Sequence, residues 1–142
     1  MRIISYRKFI FTSLLSLFLI ILILVSPIIT GCGNVKGYGN AMLQNLLESI
    51  ESANYENFKR DMDNDLEEKF AEEEFNKLVN DVKEKYGEYE KYSIEFISSN
   101  TENRLTTAYF YAAYSKNPKV KIMIKFNLLG EIYKISDFTF ES

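Results

Sequence analysis

Histidine and tryptophan are absent from the 142 residues, and cysteine occurs once. Without histidine there is no Ser-His-Asp or Cys-His relay, and most zinc sites are excluded. A single cysteine excludes a disulfide framework and cysteine-rich metal clusters. Internal repeats and low-complexity tracts are also missing. What is present is a chain with 46% hydrophobic and 15% aromatic residues, which is not the composition of a disordered protein. The length predicts one modest domain.

Positive charge is scarce where it would matter for nucleic acid. The chain has 17 basic and 20 acidic residues, a formal charge of -3. Residues 48–102 carry 17 acids against 7 bases, and residues 103–142 carry 3 acids against 6 bases. An acidic first half speaks against nucleic-acid binding, which leaves a basic footprint, and against docking that face on anionic lipid.

The first 31 residues differ in kind. Arg2, Arg7 and Lys8 are the only charges before Lys36, and an apolar run follows from Phe9 to Val25. Ser26, Pro27 and then Ile29, Thr30, Gly31 and Cys32 close the segment. A basic start, an apolar middle and small residues before a cut define an export signal. The last four residues resemble the bacterial lipobox. That resemblance implies cleavage between Gly31 and Cys32, a diacylglyceryl group on the Cys32 thiol, and a protein held on the outer face of the cell membrane. Each buried methylene contributes about 0.8 kcal/mol, and stable anchoring takes two chains, which a diacylglyceryl group supplies. The alternative is an uncleaved anchor, since the stretch Phe9 to Ile29 is long enough to span a bilayer.

Residues 32–40, with Gly33, Gly37 and Gly39 among them, read as a flexible tether. The domain proper then covers residues 41–142. Met42, Leu43, Leu46, Leu47, Ile50 and Ala53 recur on one helical face. Tyr55, Phe58, Met62, Leu66 and Phe70 predict a second helix that Asp63, Asn64 and Asp65 are placed to interrupt. Phe75, Leu78, Val79, Val82 and Tyr86 predict a third, stopped by Gly87. Strands follow: Tyr92, Ile94 and Phe96 alternate with polar residues, residues 104–114 are rich in aromatics, and Asn117-Pro118 signals a turn. Val120, Ile122, Ile124 and Phe126 alternate with Lys119, Lys121, Met123 and Lys125, and a last strand runs from Ile132 to Phe140. Short turns between strands make an antiparallel meander. The expected fold class is α+β, three helices packed on a curved four-stranded antiparallel sheet.

This order resembles the nuclear-transport-factor-2-like fold, a cone of curved sheet around helices. It is similar to a subfamily of unknown function whose members include secreted and lipid-anchored proteins, some fused to α/β hydrolases. Asn54 to Phe58, Phe75 to Tyr86 with Gly87-Glu88-Tyr89, strands 108–114 and 120–126, and Gly130-Glu131-Ile132 with Phe138 carry the likeness. No fused hydrolase is present in these 142 residues. The resemblance implies a pocket between sheet and helices, and pairing of two copies through the sheet.

Three sets of residues are candidates for chemistry. Tyr109, Tyr111 and Phe126 are expected to line an aromatic pocket for an apolar or amphipathic ligand, against the plainer reading of core packing. Lys119, Lys121 and Lys125 form a basic stripe able to meet a protein partner, or simply to keep a sheet surface soluble. Asp61, Asp63, Asp65 and Glu72 have the spacing of a calcium loop, but Leu66 stands where the loop needs glycine, so no metal or other cofactor is expected. Catalysis on this fold needs an acid or base beside a tyrosine. Glu95 and Asp137 are the available carboxylates, and neither has an acid, a base or a tyrosine beside it in the sequence. The sequence therefore predicts a non-catalytic binding role at the cell envelope, with a protein partner first and a small ligand second.

Overall fold

A computed structural model describes residues 32–129 and 132–141. The expected export signal, with the cleavage residue Gly31, lies outside the described residues, as do Gly130 and Glu131 of the last turn. Contacts within the chain divide it between Gly31 and Cys32.

Four helices precede four strands: α1 (Cys32–Glu51), α2 (Tyr55–Lys59), α3 (Asn64–Lys69), α4 (Glu72–Tyr86), then β1 (Glu95–Glu102), β2 (Leu105–Tyr114), β3 (Asn117–Leu129) and β4 (Ile132–Glu141). The strands form one antiparallel sheet in sequence order, so the protein is α+β. Register shifts in all three strand pairs mark bulges, which bend and twist a sheet locally.

The tether expected over residues 32–40 is not there. Those residues are the first turns of α1, and Val35 is buried. Gly39 is read in the sequence as freedom but serves for contact. A Cβ built on it would lie 3.0 Å from Phe110 Cζ and 3.6 Å from Phe126 Cζ. Its missing side chain lets the helix backbone approach the sheet. Tyr38, beside it, stacks on Tyr133 with ring centroids 4.0 Å apart and meets Phe126 edge-on at 5.2 Å.

The second expected helix is split. Met62 bridges to Ile135 in parallel fashion, Asp63 N–H donates to Ile135 O at 2.8 Å, and Ile135 N–H donates to Asp61 O at 2.8 Å. Residues 60–63 thus leave the helix to satisfy the edge of β4. Asp63 then restarts it, its Oδ1 accepting from Leu66 N–H at 2.9 Å as the N-cap of α3. Asn54 caps α2 in the same way, accepting from Asn57 N–H at 3.1 Å. α4 follows its expectation, with acids in its first turn, lysines in its last, and Gly87 ending it at φ +85°.

The core lies between the helices and one face of the sheet. Thr106, Ala108, Phe110, Ala112 and Tyr114 of β2, and Val120, Ile122, Ile124 and Phe126 of β3, point into it beside Leu43, Leu47, Phe58 and Phe75. Two strand boundaries differ from expectation. Tyr92 precedes β1, at φ +63° and 84% exposed. The β2–β3 turn falls at Ser115 and Lys116, so that Asn117 and Pro118 already belong to β3.

Candidate functional site

The odd-numbered residues of β2 and β3 point away from the helices and build an open outer face. Register sets Tyr111 opposite Lys121, Tyr109 opposite Met123 and Thr107 opposite Lys125. The lysines lean diagonally over the tyrosines. Lys121 Nζ lies 4.6 Å from the Tyr109 ring centroid, and Lys119 Nζ lies 4.8 Å from that of Tyr111, within cation–π range.

On the far side each of two lysines meets an acid of β4. Lys121 Nζ is 2.7 Å from Glu141 Oε2, and Lys125 Nζ is 2.8 Å from Asp137 Oδ2. The hydrogen bond to Glu141 raises the Lys121 pKa above its ordinary value. The face is a lattice of acid, lysine and aromatic ring rather than a bare positive stripe. Glu141 was not anticipated, because its place opposite Lys121 depends on a bulge between Lys125 and Phe126.

The three residues expected to line a common pocket fall on opposite sides of the sheet. Tyr109 and Tyr111 are half-buried on the outer face, whereas Phe126 is fully buried in the core. Phe126 pairs with Thr106, so strand alternation turns it toward the helices. There it fills space against Tyr38 and Gly39. Phe110 and Ile122, also fully buried, complete that filling.

The described depressions lie elsewhere. One, of about 310 Å³, is lined by Lys59, Arg60, Asp63, Glu67, Leu129 and Lys134 at the end of the β3–β4 hairpin. A second, of about 400 Å³, borders Tyr55, Asn64 and Glu68. In the first, Lys59 is already matched to Glu56 and Glu67 at 3.4 and 3.7 Å.

The spaced acids do not converge. Asp61 accepts from Asn45 Nδ2 at 2.9 Å and faces Arg60, while Asp63 serves as a helix cap. Among the described residues no three metal-ligating side chains come together. Glu95 and Asp137 both sit on the outer face, at its two opposite edges. Three strand spacings, roughly 14 Å, separate those edges, too far for the two to act as an acid–base pair. Asp137 is held by Lys125.

No family model matches the chain, and no curated protein matches it. Among solved structures, a de novo designed protein with a curved β-sheet is similar at 11% identity and a TM-score of 0.45, covering 73% of this chain and 99% of that one. Among the described residues no helix is long and apolar enough to cross a membrane.

Proposed function

We propose that this chain is a lipid-anchored protein on the outer face of the cell membrane. Its domain, similar to the nuclear-transport-factor-2-like superfamily, binds a protein partner without catalysis. The sequence Ile29-Thr30-Gly31-Cys32 supports the anchor. The acidic balance of residues 48–102 speaks against nucleic acid as the partner.

The observation that carries the binding role is the outer sheet face. It presents Tyr109, Tyr111 and Met123 among matched charges, and no helix of the described chain covers it. Tyrosine and methionine are enriched at protein interfaces, and matched charges around them fix register more than they add affinity. A second copy of the chain is one such partner, since the resemblance implies pairing through the sheet. The small-ligand reading has less support, because the space it requires is filled by Phe110, Phe126 and Tyr38.

Simple charge reversal is a poor test. Glutamate at 121 or 125 would stand against Glu141 or Asp137 and disturb the sheet itself. Swapping both pairs keeps each attraction: Lys121→Glu with Glu141→Lys, and Lys125→Asp with Asp137→Lys. A photo-crosslinking residue at Tyr111 in cells should trap a discrete adduct that the swapped chain loses while keeping its Tm. An adduct undiminished by the swap removes the charge pairs from the account, and a chain that forms no adduct removes this face. An adduct of twice the chain's mass identifies the partner as a second copy.

A further inference from the structure

The two edges of the sheet differ. At β4 the edge is met by residues 61–63, which exchange backbone hydrogen bonds with Ile135. β1 is the other edge. Among the described residues no backbone hydrogen bond beyond the β1–β2 ladder reaches Ser98 to Glu102. Natural proteins blunt such edges with lysine, proline, bulges or very short strands. β1 has neither lysine nor proline, and its bulge lies between Phe96 and Ser98. The stretch from Ser98 to Thr101 is left regular and uncharged.

The turn after β1 fixes which of its groups face outward. Asn103 and Arg104 take φ of +50° and +69°, the signature of a two-residue type I′ hairpin connection. Glu102 and Leu105, which flank it, are therefore a hydrogen-bonded pair. By alternation, Asn100 and Ser98 also bond to β2, at Thr107 and Tyr109. Ser99 and Thr101 then turn their N–H and C=O groups to the open side, where water or another chain must satisfy them.

We propose that a second copy of the chain satisfies them, through antiparallel pairing of β1 with β1 about a two-fold axis at Asn100. Ser99 of each copy exchanges backbone hydrogen bonds with Thr101 of the other, and one sheet runs through both domains. Directly opposite residues share a face and interact. On the outer face Asn100 meets Asn100 of the other copy, and Ser98 stands opposite Glu102. Glu102 Oε1 accepts from Asn100 Nδ2 at 3.2 Å, which leaves Oε2 for the Ser98 hydroxyl. On the helix side Ser99 stands opposite Thr101. This register sets no acid against an acid. It also brings Arg104, exposed and in no ion pair among the described residues, toward the end of β1 that carries Glu95 of the other copy. A two-fold contact closes at two copies, so the open edge does not propagate into a fibre. It leaves Tyr109 and Tyr111 uncovered and is independent of the outer-face reading.

Cysteine crosslinking in the full-length chain tests the pairing, with the native chain and its lone Cys32 as the background. In membranes treated with a mild oxidant, Asn100→Cys should form a disulfide adduct of twice the chain's mass. Across a non-hydrogen-bonded pair the Cα atoms lie about 4.5 Å apart, within the span of a disulfide. Ser98→Cys should not join to itself, because about 13 Å of strand separates the two copies of Ser98. Chains carrying Ser98→Cys and Glu102→Cys should join when expressed together. Ser99→Pro, added to the Asn100→Cys chain, removes an N–H that the fold itself leaves open. It should abolish the adduct with an unchanged circular dichroism spectrum. An Asn100→Cys chain that stays single overturns the pairing. So does an adduct of another mass, which gives the edge to a different protein, and so does an adduct that survives Ser99→Pro. Equal self-adducts at Asn100→Cys and Ser98→Cys mark random collision and overturn it as well. A self-adduct at Tyr111→Cys with none at Asn100→Cys assigns self-association to the outer face, which overturns the edge pairing and leaves the outer-face reading standing.

Discussion

Three aromatic residues at one end of the core show how similar side chains can have different energetics. Tyr86, Tyr89 and Tyr114 are all buried, and the Tyr114 ring contacts each of the other two. Tyr89 OH donates to Gln44 Oε1 at 2.9 Å, whereas the hydroxyls of Tyr86 and Tyr114 have no hydrogen-bond partner among the described residues. A buried polar group without a partner keeps its desolvation cost. Tyr114→Phe is therefore expected to leave stability unchanged or to raise it slightly, and Tyr89→Phe to lower it by about 1 kcal/mol, both read from urea unfolding. The pH dependence has the same origin. Burial, with the Glu48 carboxylate adding to it, pushes Tyr89 from 10.0 up to about 12. Burial also raises Tyr114, with Tyr89 and Glu51 contributing. In the unfolded chain these hydroxyls ionise near pH 10, while the folded chain holds the proton longer. The folded state then binds more protons than the unfolded one, so stability falls as pH rises. Nothing is lost to these groups below pH 10, and the decline runs from pH 10 to about 12 for Tyr89. Tyr89→Phe should flatten that alkaline limb, and a limb unchanged in the variant would assign it to other groups. Gly39→Val tests a contact of the opposite kind. Its side chain would press on Phe110 and Phe126 and is expected to cost about 1–3 kcal/mol in the same unfolding measurement.

At the scale of the element, the caps decide where helices begin. Asp63→Ala removes the acceptor for Leu66 N–H and is expected to cost about 1 kcal/mol. Calcium added to the native protein should leave the Tm unmoved, since Asp63 is committed to α3 and Asp61 to Asn45. A rise in Tm on adding calcium would restore the loop reading. Much of this layer was legible in the sequence. The period of α4 and its stop at Gly87, and the alternation of Val120 to Phe126, translate directly into burial. The last strand was legible too in its phase: Tyr133 and Ile135 are two apart, and so are Phe138 and Phe140, but Ile135 and Phe138 are three apart. That jump is the bulge seen between Lys125 and Phe126 of the partner strand. It keeps Ile135, Phe138 and Phe140 packed toward the core and swings Asp137 and Glu141 opposite Lys125 and Lys121. What could not be read was which side of the sheet Phe126 shares with Tyr109. Each strand shows only its own alternation, and the relation between two strands is fixed by a register that local sequence does not hold. The split at residues 60–63 was hidden for a like reason, since its cause is a hydrogen-bonding edge of β4 more than 70 residues away.

For the whole molecule, the consequential difference is the first nine residues after Gly31. A tether would carry no part of the fold and be removable at no cost. A helix continuous from Cys32 to Glu51 does the reverse. It makes residues 32–40 part of the fold through the burial of Val35 and the contacts of Tyr38 and Gly39 with Phe126 and Tyr133. The two views differ in a simple measurement. A soluble chain beginning at Ala41 loses the burial of Val35 and the Tyr38–Tyr133 stack. Removing two such side chains is expected to cost about 3–5 kcal/mol relative to a chain beginning at residue 32. Domains of this size hold only about 5–15 kcal/mol in all, so the shorter chain should unfold at clearly lower urea with an unchanged slope. Equal midpoints for the two chains would return residues 32–40 to the status of a tether. A lower midpoint for the Ala41 chain makes the first helix and the sheet a single unit, so that under the proposed anchoring at Cys32 the outer face would be held at a set angle from the bilayer.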